Sequence, residues 1–176
     1  MALSVVYAAD TGHVVGALAL TGVAAPADVA ALVGRALPLR VSLGQGRTAT
    51  LPLNARDLAV AAVDDEPAAL TDPLSFGVEV TGEGRPKPAL VRLPSWTDGI
   101  ALAKDGLTVT VQVAVARPTP VVALVSDEQD THVLAGEIPA QQTQVKLPVT
   151  LTAGSVHGVL VLPAGWAGHL EKAAVT

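Results

Sequence analysis

The sequence contains no cysteine, and this absence removes several kinds of chemistry at once. Disulfide bonds, thiolate metal sites and a cysteine nucleophile are all excluded. Aromatic residues are also scarce, since the chain has two tryptophans, one tyrosine and one phenylalanine. A chain without cysteine is compatible with a reducing compartment, so a cytoplasmic location is expected.

Basic clusters and long apolar runs are missing as well. The chain has 11 Lys and Arg residues against 16 Asp and Glu residues, and the arginines are scattered singly. Without a basic stripe or aromatic stacking platforms, nucleic-acid binding is not expected. Apolar stretches such as "HVVGALAL" fall short of the roughly 20 residues that cross a membrane. The start "MALSVVYAAD" has no basic region of the kind that precedes a signal-peptide core, so no membrane partner is expected.

Small apolar residues are what the sequence has in abundance. Half of its residues are hydrophobic and only 15% are charged, against about 25% in ordinary globular proteins. Large exposed apolar patches mark contacts with other proteins. A compositional bias towards alanine and valine accounts for the same excess, and the sequence leaves both explanations open.

Alternating patterns predict a mainly β fold, a β-sandwich-like domain with one short helix. "LTVTVQVAV" (107–115) alternates apolar and polar residues, while "VVALV" and "GVLVL" are apolar on both faces and predict central strands. Runs that contain proline, "LPLRVSL" and "VKLPVTL", predict edge or bulged strands. "APADVAALVGRAL" predicts the helix, with Pro26 in its first turn and Gly34 at its end. "NARDLAVAAVDDEP" fits either a helix capped by Asn54 or a strand.

Three pairs of segments are similar and occur in the same order along the chain. They are "TGHVVGAL" and "THVLAGEI", "LPLRVSLGQG" and "LPVTLTAG", and "ALVRLPSW" and "VLVLPAGW". These pairs predict two duplicated β units packed together, residues 1–104 with insertions at about 24–36 and 47–88, and residues 105–176. One continuous domain with chance similarities is the alternative. In the duplicated reading, Trp96 and Trp166 are matching lids over the core.

No segment matches a motif for a nucleophilic serine, a phosphate loop, a dinucleotide or a zinc site. The histidines lack the spacing of metal ligands, although His13 and His132 hold equivalent places in the repeat and could face each other. The acidic residues Asp64, Asp65, Glu66 and Asp72 predict a solvated loop rather than a calcium site. We therefore expect no catalytic, cofactor-binding or metal-binding residues.

The sequence favours a non-catalytic structural or assembly subunit of a larger particle or oligomer, which includes virion-, tail- and shell-like assemblies. Its expected partners are other protein chains, its own copies or different subunits. Candidate interface arms lie near the ends of the chain, at Leu3, Val5, Tyr7 and Val175. One alternative is a β-sandwich binding module for a small apolar or glycan ligand. A second is a hydrolase with a site near His13 and His132.

Overall fold

The computed structural model describes residues 2–24 and 26–176, and there the chain is mainly β, which confirms the predicted class. Ala25, within the predicted insertion at 24–36, lies outside the described residues. The described strands are β1 (Ala2–Ala8), β2 (Val14–Leu20), β3 (Ala36–Gly44), β4 (Arg47–Asn54), β5 (Leu58–Val63), β6 (Phe76–Thr81), β7 (Lys87–Arg92), β8 (Ile100–Ala103), β9 (Gly106–Thr110), β10 (Thr119–Ser126), β11 (Thr131–Ile138), β12 (Gln144–Pro148), β13 (Val156–Pro163) and β14 (His169–Ala174). The sandwich-like packing expected from the strand pattern stays a prediction.

Helical structure in the described part of the chain is limited to short segments. They are α1 (Val29–Val33), α2 (Ala68–Thr71) and the 3₁₀ turns Ala55–Asp57 and Pro73–Ser75. The predicted helix corresponds to α1, which ends before Gly34 as expected, but Pro26 precedes the helix and does not lie in its first turn. The Asp28 side chain caps α1 by accepting a hydrogen bond from the Ala30 N–H. No helix among the described residues is long and apolar enough to cross a membrane.

The chain forms two compact units, each assembled from segments that are far apart in the sequence. Unit 1 contains the chain up to Leu37, Leu53–Ser95 and Gly165–Ala167. Unit 2 contains Pro38–Pro52, Trp96–Ala164 and Gly168–Thr176. The predicted boundary between residues 104 and 105 concerns a duplication, and it stays a prediction.

Unit 1 is built around an antiparallel sheet of order β2–β1–β5, with the separate hairpin β6–β7. The central strand β1 alternates so that Leu3 and Val5 point into the core, where Val14, Ala61 and Phe76 also lie. Burial of these apolar side chains is the main force that stabilises the unit.

Unit 2 contains a four-stranded antiparallel sheet of order β11–β10–β13–β14, a three-stranded sheet of order β12–β9–β8 and the hairpin β3–β4. The strands β10 and β13 are central because both of their faces are apolar and buried. Gly158 on β13 lets the hairpin approach closely, since a Cβ there would lie 3.1 Å from the side chains of Ala49 and Leu51. The hairpin is therefore an integral layer of the packing around β13.

Candidate functional site

The two tryptophans have different surroundings. Trp96 is 1% exposed, and its ring lies 4.4 Å from the His169 ring, centroid to centroid. Trp166 is half-buried in unit 1, where its carbonyl accepts a hydrogen bond from His13. A sugar-stacking platform requires an exposed ring face, and Trp96 does not provide one.

The four predicted arms lie within the units' own packing. Leu3 and Val5 have no exposed surface, and Tyr7 packs against the same core of unit 1. Val175 is 3% exposed in unit 2, where its backbone exchanges hydrogen bonds with Gly154 and Ser155. The buried side chains of Leu3, Val5 and Val175 present no surface to another chain in this fold, so the proposal below does not use the predicted arms.

His13 is fully buried in unit 1, and both of its ring nitrogens are hydrogen-bonded. A carbonyl can only accept, so Nε2 carries the proton that is donated to the Trp166 oxygen at 2.6 Å. The opposite nitrogen, Nδ1, then accepts a hydrogen bond from the Thr11 hydroxyl at 2.8 Å. This arrangement is that of a structural histidine, which holds the residue 165–167 segment within unit 1.

A second group of polar residues, which we call the His157 cluster, lies at one end of the four-stranded sheet in unit 2. It comprises Asp127, His132, Ser155 and His157. The strand register explains why they meet: Ser126 pairs with Gly158 and Val125 pairs with His132, so Asp127 falls opposite His157 just beyond the end of β10. Together with residues 150–152 they line a cavity of about 190 Å³.

The hydrogen bonds of Ser155 fix the protonation of His157. The Ser155 hydroxyl lies 2.5 Å from the Thr152 carbonyl oxygen, to which it must donate its single proton. Its oxygen therefore accepts from His157 Nε2 at 2.9 Å, which places the imidazole proton on Nε2. His157 Nδ1 is then a buried acceptor without a hydrogen-bond partner among the described residues.

Electrostatics in the cluster agree with this assignment. Burial lowers the pKa of His157 below its ordinary value of 6.5. The Asp127 carboxylate raises this pKa by a smaller amount, and His132 lowers it further. Hydrogen bonds from the backbone N–H groups of Asp130 and Gln129 lower the pKa of Asp127 below 3.8. The cluster at neutral pH thus pairs a neutral His157 with an ionised Asp127.

This direction of hydrogen bonding is opposite to that of a nucleophile and its base. A catalytic serine donates its proton to the histidine, which removes it as the bond to substrate forms. Ser155 instead donates to a backbone carbonyl, and His157 donates to Ser155. We therefore interpret the pair as a structural support for the 150–155 loop.

Asp64, Glu66 and Asp72, three of the four acidic loop residues, each have a local partner. Asp64 forms an ion pair with Lys87 at 3.1 Å, Glu66 accepts a hydrogen bond from the Ala68 N–H, and Asp72 accepts one from the Ser75 hydroxyl. No group of three or more His, Asp or Glu residues within the described chain is arranged to hold a metal ion.

The feature that sequence reasoning missed is the outer edge of β11. Residues Val133, Ala135 and Glu137 share one face of this strand and are exposed, Val133 at 70%. Among the described strands β11 pairs only with β10, and their register runs over eight residues without a shift. Its sequence, "THVLAGEI", was visible as a strand, but only the sheet order shows that the strand is an edge.

Comparison with family models, with curated proteins and with solved structures finds no match to this chain. Function must therefore be argued from the geometry described above.

Proposed function

We propose that this protein is a non-catalytic assembly subunit that joins another protein chain by adding a strand to the outer edge of β11. The observation that carries the proposal is an edge strand with an uninterrupted register, on which Val133 and Ala135 are exposed. An edge strand presents a row of backbone N–H and C=O groups that a strand of a second chain can pair with.

The other edges of the described sheets carry features that discourage pairing. Natural proteins protect edges with lysine, proline, bulges, short strands or a covering element. Strand β2 pairs with β1 through a register that shifts between Val6 and Tyr7. Strand β5 packs beside β7 and α1. Strand β8 is only four residues long. Charged residues or prolines lie in most of the remaining edges, namely Pro38 and Arg40 in β3, Arg47 and Pro52 in β4, Lys87 and Pro88 in β7, Lys146 and Pro148 in β12, and Glu171 and Lys172 in β14. Strand β6 is bridged to His13 through Gly77.

Strand β12 packs against one face of β11, and Glu137 is exposed on its other face. The strand contains no lysine, arginine or proline, and its register with β10 has no bulge. The side chain at its centre, Val133, is 70% exposed, and burying a valine in an interface contributes about 1–2 kcal/mol. An edge of this kind either aggregates or is covered by a partner.

The alternatives have weaker support. The cavities described in unit 2 measure about 190–250 Å³, below the roughly 300–1,000 Å³ of a typical small-molecule site. A hydrolase near His13 or His132 would need an activated nucleophile, and the proton of Ser155 is directed away from His157. The proposal includes a cytoplasmic location within a larger protein particle, which suits the low content of charged residues.

A photo-crosslinking residue placed at position 133 tests the proposal in the cells that make the protein. Position 23 is the matched control, because Val23 is 69% exposed and lies outside any strand. We expect a defined protein adduct from position 133, none from position 23, and loss of the adduct when Ala135→Lys is added. Equal labelling at both positions, or none at either, would overturn the proposal.

A further inference from the structure

We infer that the partner of β11 is the β11 strand of a second copy of this chain, in an antiparallel pair with a two-fold axis at Leu134. This inference rests on the proposed function, because it names the partner of the same edge. The pairing would extend the four-stranded sheet of unit 2 into a continuous eight-stranded sheet across two copies.

Symmetry restricts the registers that two copies can adopt. The two-fold axis of an antiparallel strand pair is perpendicular to the sheet, so each residue keeps the same face in both copies. Directly opposite residues point to the same face, and side chains alternate between faces along a strand. A residue of one copy can therefore lie opposite a residue of the other copy only if their numbers differ by an even number. Two registers meet this condition and place at least seven residues of β11 opposite the partner strand.

The exposed face distinguishes between these two registers. With the axis at Leu134, Val133 lies opposite the partner's Ala135 and Thr131 lies opposite the partner's Glu137. With the axis at Ala135, each Val133 lies opposite a Glu137 carboxylate instead. An apolar side chain beside a charge leaves the charge partly desolvated without a partner. The first register instead forms a cluster of two valines and two alanines, with the carboxylates beside hydroxyls at its ends.

The charges of β11 also agree with the first register. It places no like charges opposite each other, since Glu137 is the one acidic residue of the strand and β11 has no lysine or arginine. On the opposite face, β12 already packs below the strand, and Leu147 occupies the space where a Cβ at Gly136 would lie. The exposed face of Val133 and Ala135 is the one that remains to be covered.

Cysteine trapping tests both the partner and the register, because the natural chain contains no cysteine. We would prepare V133C and A135C separately, mix them and expose them to a mild oxidant. Directly opposite Cβ atoms lie about 4.5–5.5 Å apart, close to disulfide geometry, whereas diagonal neighbours lie at about 7–8 Å. We expect the V133C–A135C heterodimer in the mixture and little crosslinking of either variant alone.

The opposite results each have a defined meaning. Crosslinking of A135C with itself would show the axis at Ala135 and overturn the register. Absence of any crosslink, together with a monomer at all concentrations in sedimentation velocity, would overturn the second copy as partner. The proposed function would survive this second result if the adduct at position 133 contained a different protein, so the two failures are distinguishable.

A substitution in solution provides an independent measurement. Val133→Lys should raise the dimer dissociation constant at least about tenfold, because a lysine on the edge must be desolvated when the strands pair. Val23→Lys, which changes the charge equally, should leave the dissociation constant unchanged. A circular dichroism spectrum identical to that of the natural protein would confirm that both variants fold, and an equal effect of the two substitutions would contradict the inference.

Discussion

The hydrogen bonds of the His157 cluster use only one of the two imidazole nitrogens of His157. The Nε2–H group of His157 donates to Ser155, and its Nδ1 has no hydrogen-bond partner in the part of the chain that the structure describes. Protonation would therefore place an unpartnered N–H donor in a buried position, in addition to the cost of burying the charge. The cluster at this end of the sheet is consequently sensitive to acid.

The stability of the protein should fall through His157 as the pH drops below about 7.5 and until the pH has passed the lowered pKa of this residue. Its pKa in the folded protein is lower than the 6.5 of the unfolded chain, so below pH 6.5 the unfolded state binds a proton that the folded state does not. The free energy of unfolding declines as the pH drops through this window, and the decline from His157 ends below its folded pKa. His157→Gln should weaken this dependence, as measured by urea unfolding at several pH values.

Asp127 provides an internal comparison for this prediction. Its pKa is lowered from 3.8, so its stabilising contribution is lost only as the pH falls below that value. The two groups thus act in separate pH windows. If the natural protein and His157→Gln lost stability in parallel from pH 7.5 to 5, His157 would not be the responsible group.

Removing the Ser155 hydroxyl should destabilise the protein by about 1–3 kcal/mol. Ser155→Ala leaves the His157 Nε2–H without its acceptor and removes the hydroxyl donor of the Thr152 carbonyl, which still accepts from the backbone N–H of residue 155. Ser42→Ala is a suitable control, since the Ser42 hydroxyl accepts only an exposed hydrogen bond of 3.4 Å from the Gly44 N–H. Equal urea midpoints for the two variants would contradict the assigned hydrogen bonds.

Gly99 is required by the packing of Trp96. A Cβ at this position would lie 2.6 Å from the Trp96 ring and even closer to the Thr110 carbonyl oxygen. Gly99→Ala should therefore cost about 3 kcal/mol or more and change the near-ultraviolet circular dichroism of the tryptophans. Gly16→Ala, whose Cβ would lie 3.8 Å from Leu37, should change stability by less than about 1 kcal/mol. A mild effect of Gly99→Ala would show that the contact relaxes.

At the level of secondary structure, the sequence predicted strands more reliably than their ends. The apolar runs of β10 and β13 identified both as central strands, because residues buried on two faces leave a continuous hydrophobic pattern. The nine-residue alternation at 107–115 was wrong in extent, since β9 ends at Thr110. There the chain leaves the sheet: the Val111 N–H donates to the Thr143 carbonyl, and the Val115 N–H donates to the Gln142 carbonyl. Val111 and Val115 are buried, but Val113 is 64% exposed. Alternation therefore predicts the inward-facing residues only as far as pairing continues the strand.

The ambiguous segment after Asn54 illustrates a second limit. Asn54 does cap a helical turn, by accepting a hydrogen bond from the Arg56 N–H, but the turn is three residues long and β5 follows it directly. The strand interpretation is thus correct for Leu58–Val63, and the helix interpretation is wrong there, since only its Asn54 cap is observed. Strand β5 forms because β1 offers it a pairing edge in unit 1, and a single sequence contains no signal for such a distant partner.

The site itself was less predictable than the strands. His132 was considered for its place in the repeat, but its neighbours His157, Ser155 and Asp127 come from other segments of the chain. The β11 edge depends on sheet order, which sets which strands lack a neighbour. Pairing between distant segments of the chain thus determines both the His157 cluster and the β11 edge. The residue pattern of a single segment does not predict that pairing.

At the scale of the whole molecule, the two units are interleaved along the chain. Unit 2 takes the hairpin segment Pro38–Pro52 from the first half of the sequence, and unit 1 takes Gly165–Ala167 from the second half. The hairpin contributes directly to unit 2: Thr50 accepts a hydrogen bond from the buried Ser126 hydroxyl, and Ala49 and Leu51 pack at Gly158. Cutting the chain between repeats therefore removes part of a core.

This interleaving predicts that residues 105–176 do not fold alone. The fragment lacks the β3–β4 hairpin and β8, so the apolar side chains of β10 and β13 would be exposed to water. We expect a poorly dispersed amide spectrum and no cooperative urea transition for this fragment. Mixing it with residues 1–104 should restore both, because the missing layer is then supplied in trans. A dispersed spectrum and a cooperative transition from 105–176 alone would instead identify it as an autonomous β unit, as the duplication hypothesis requires.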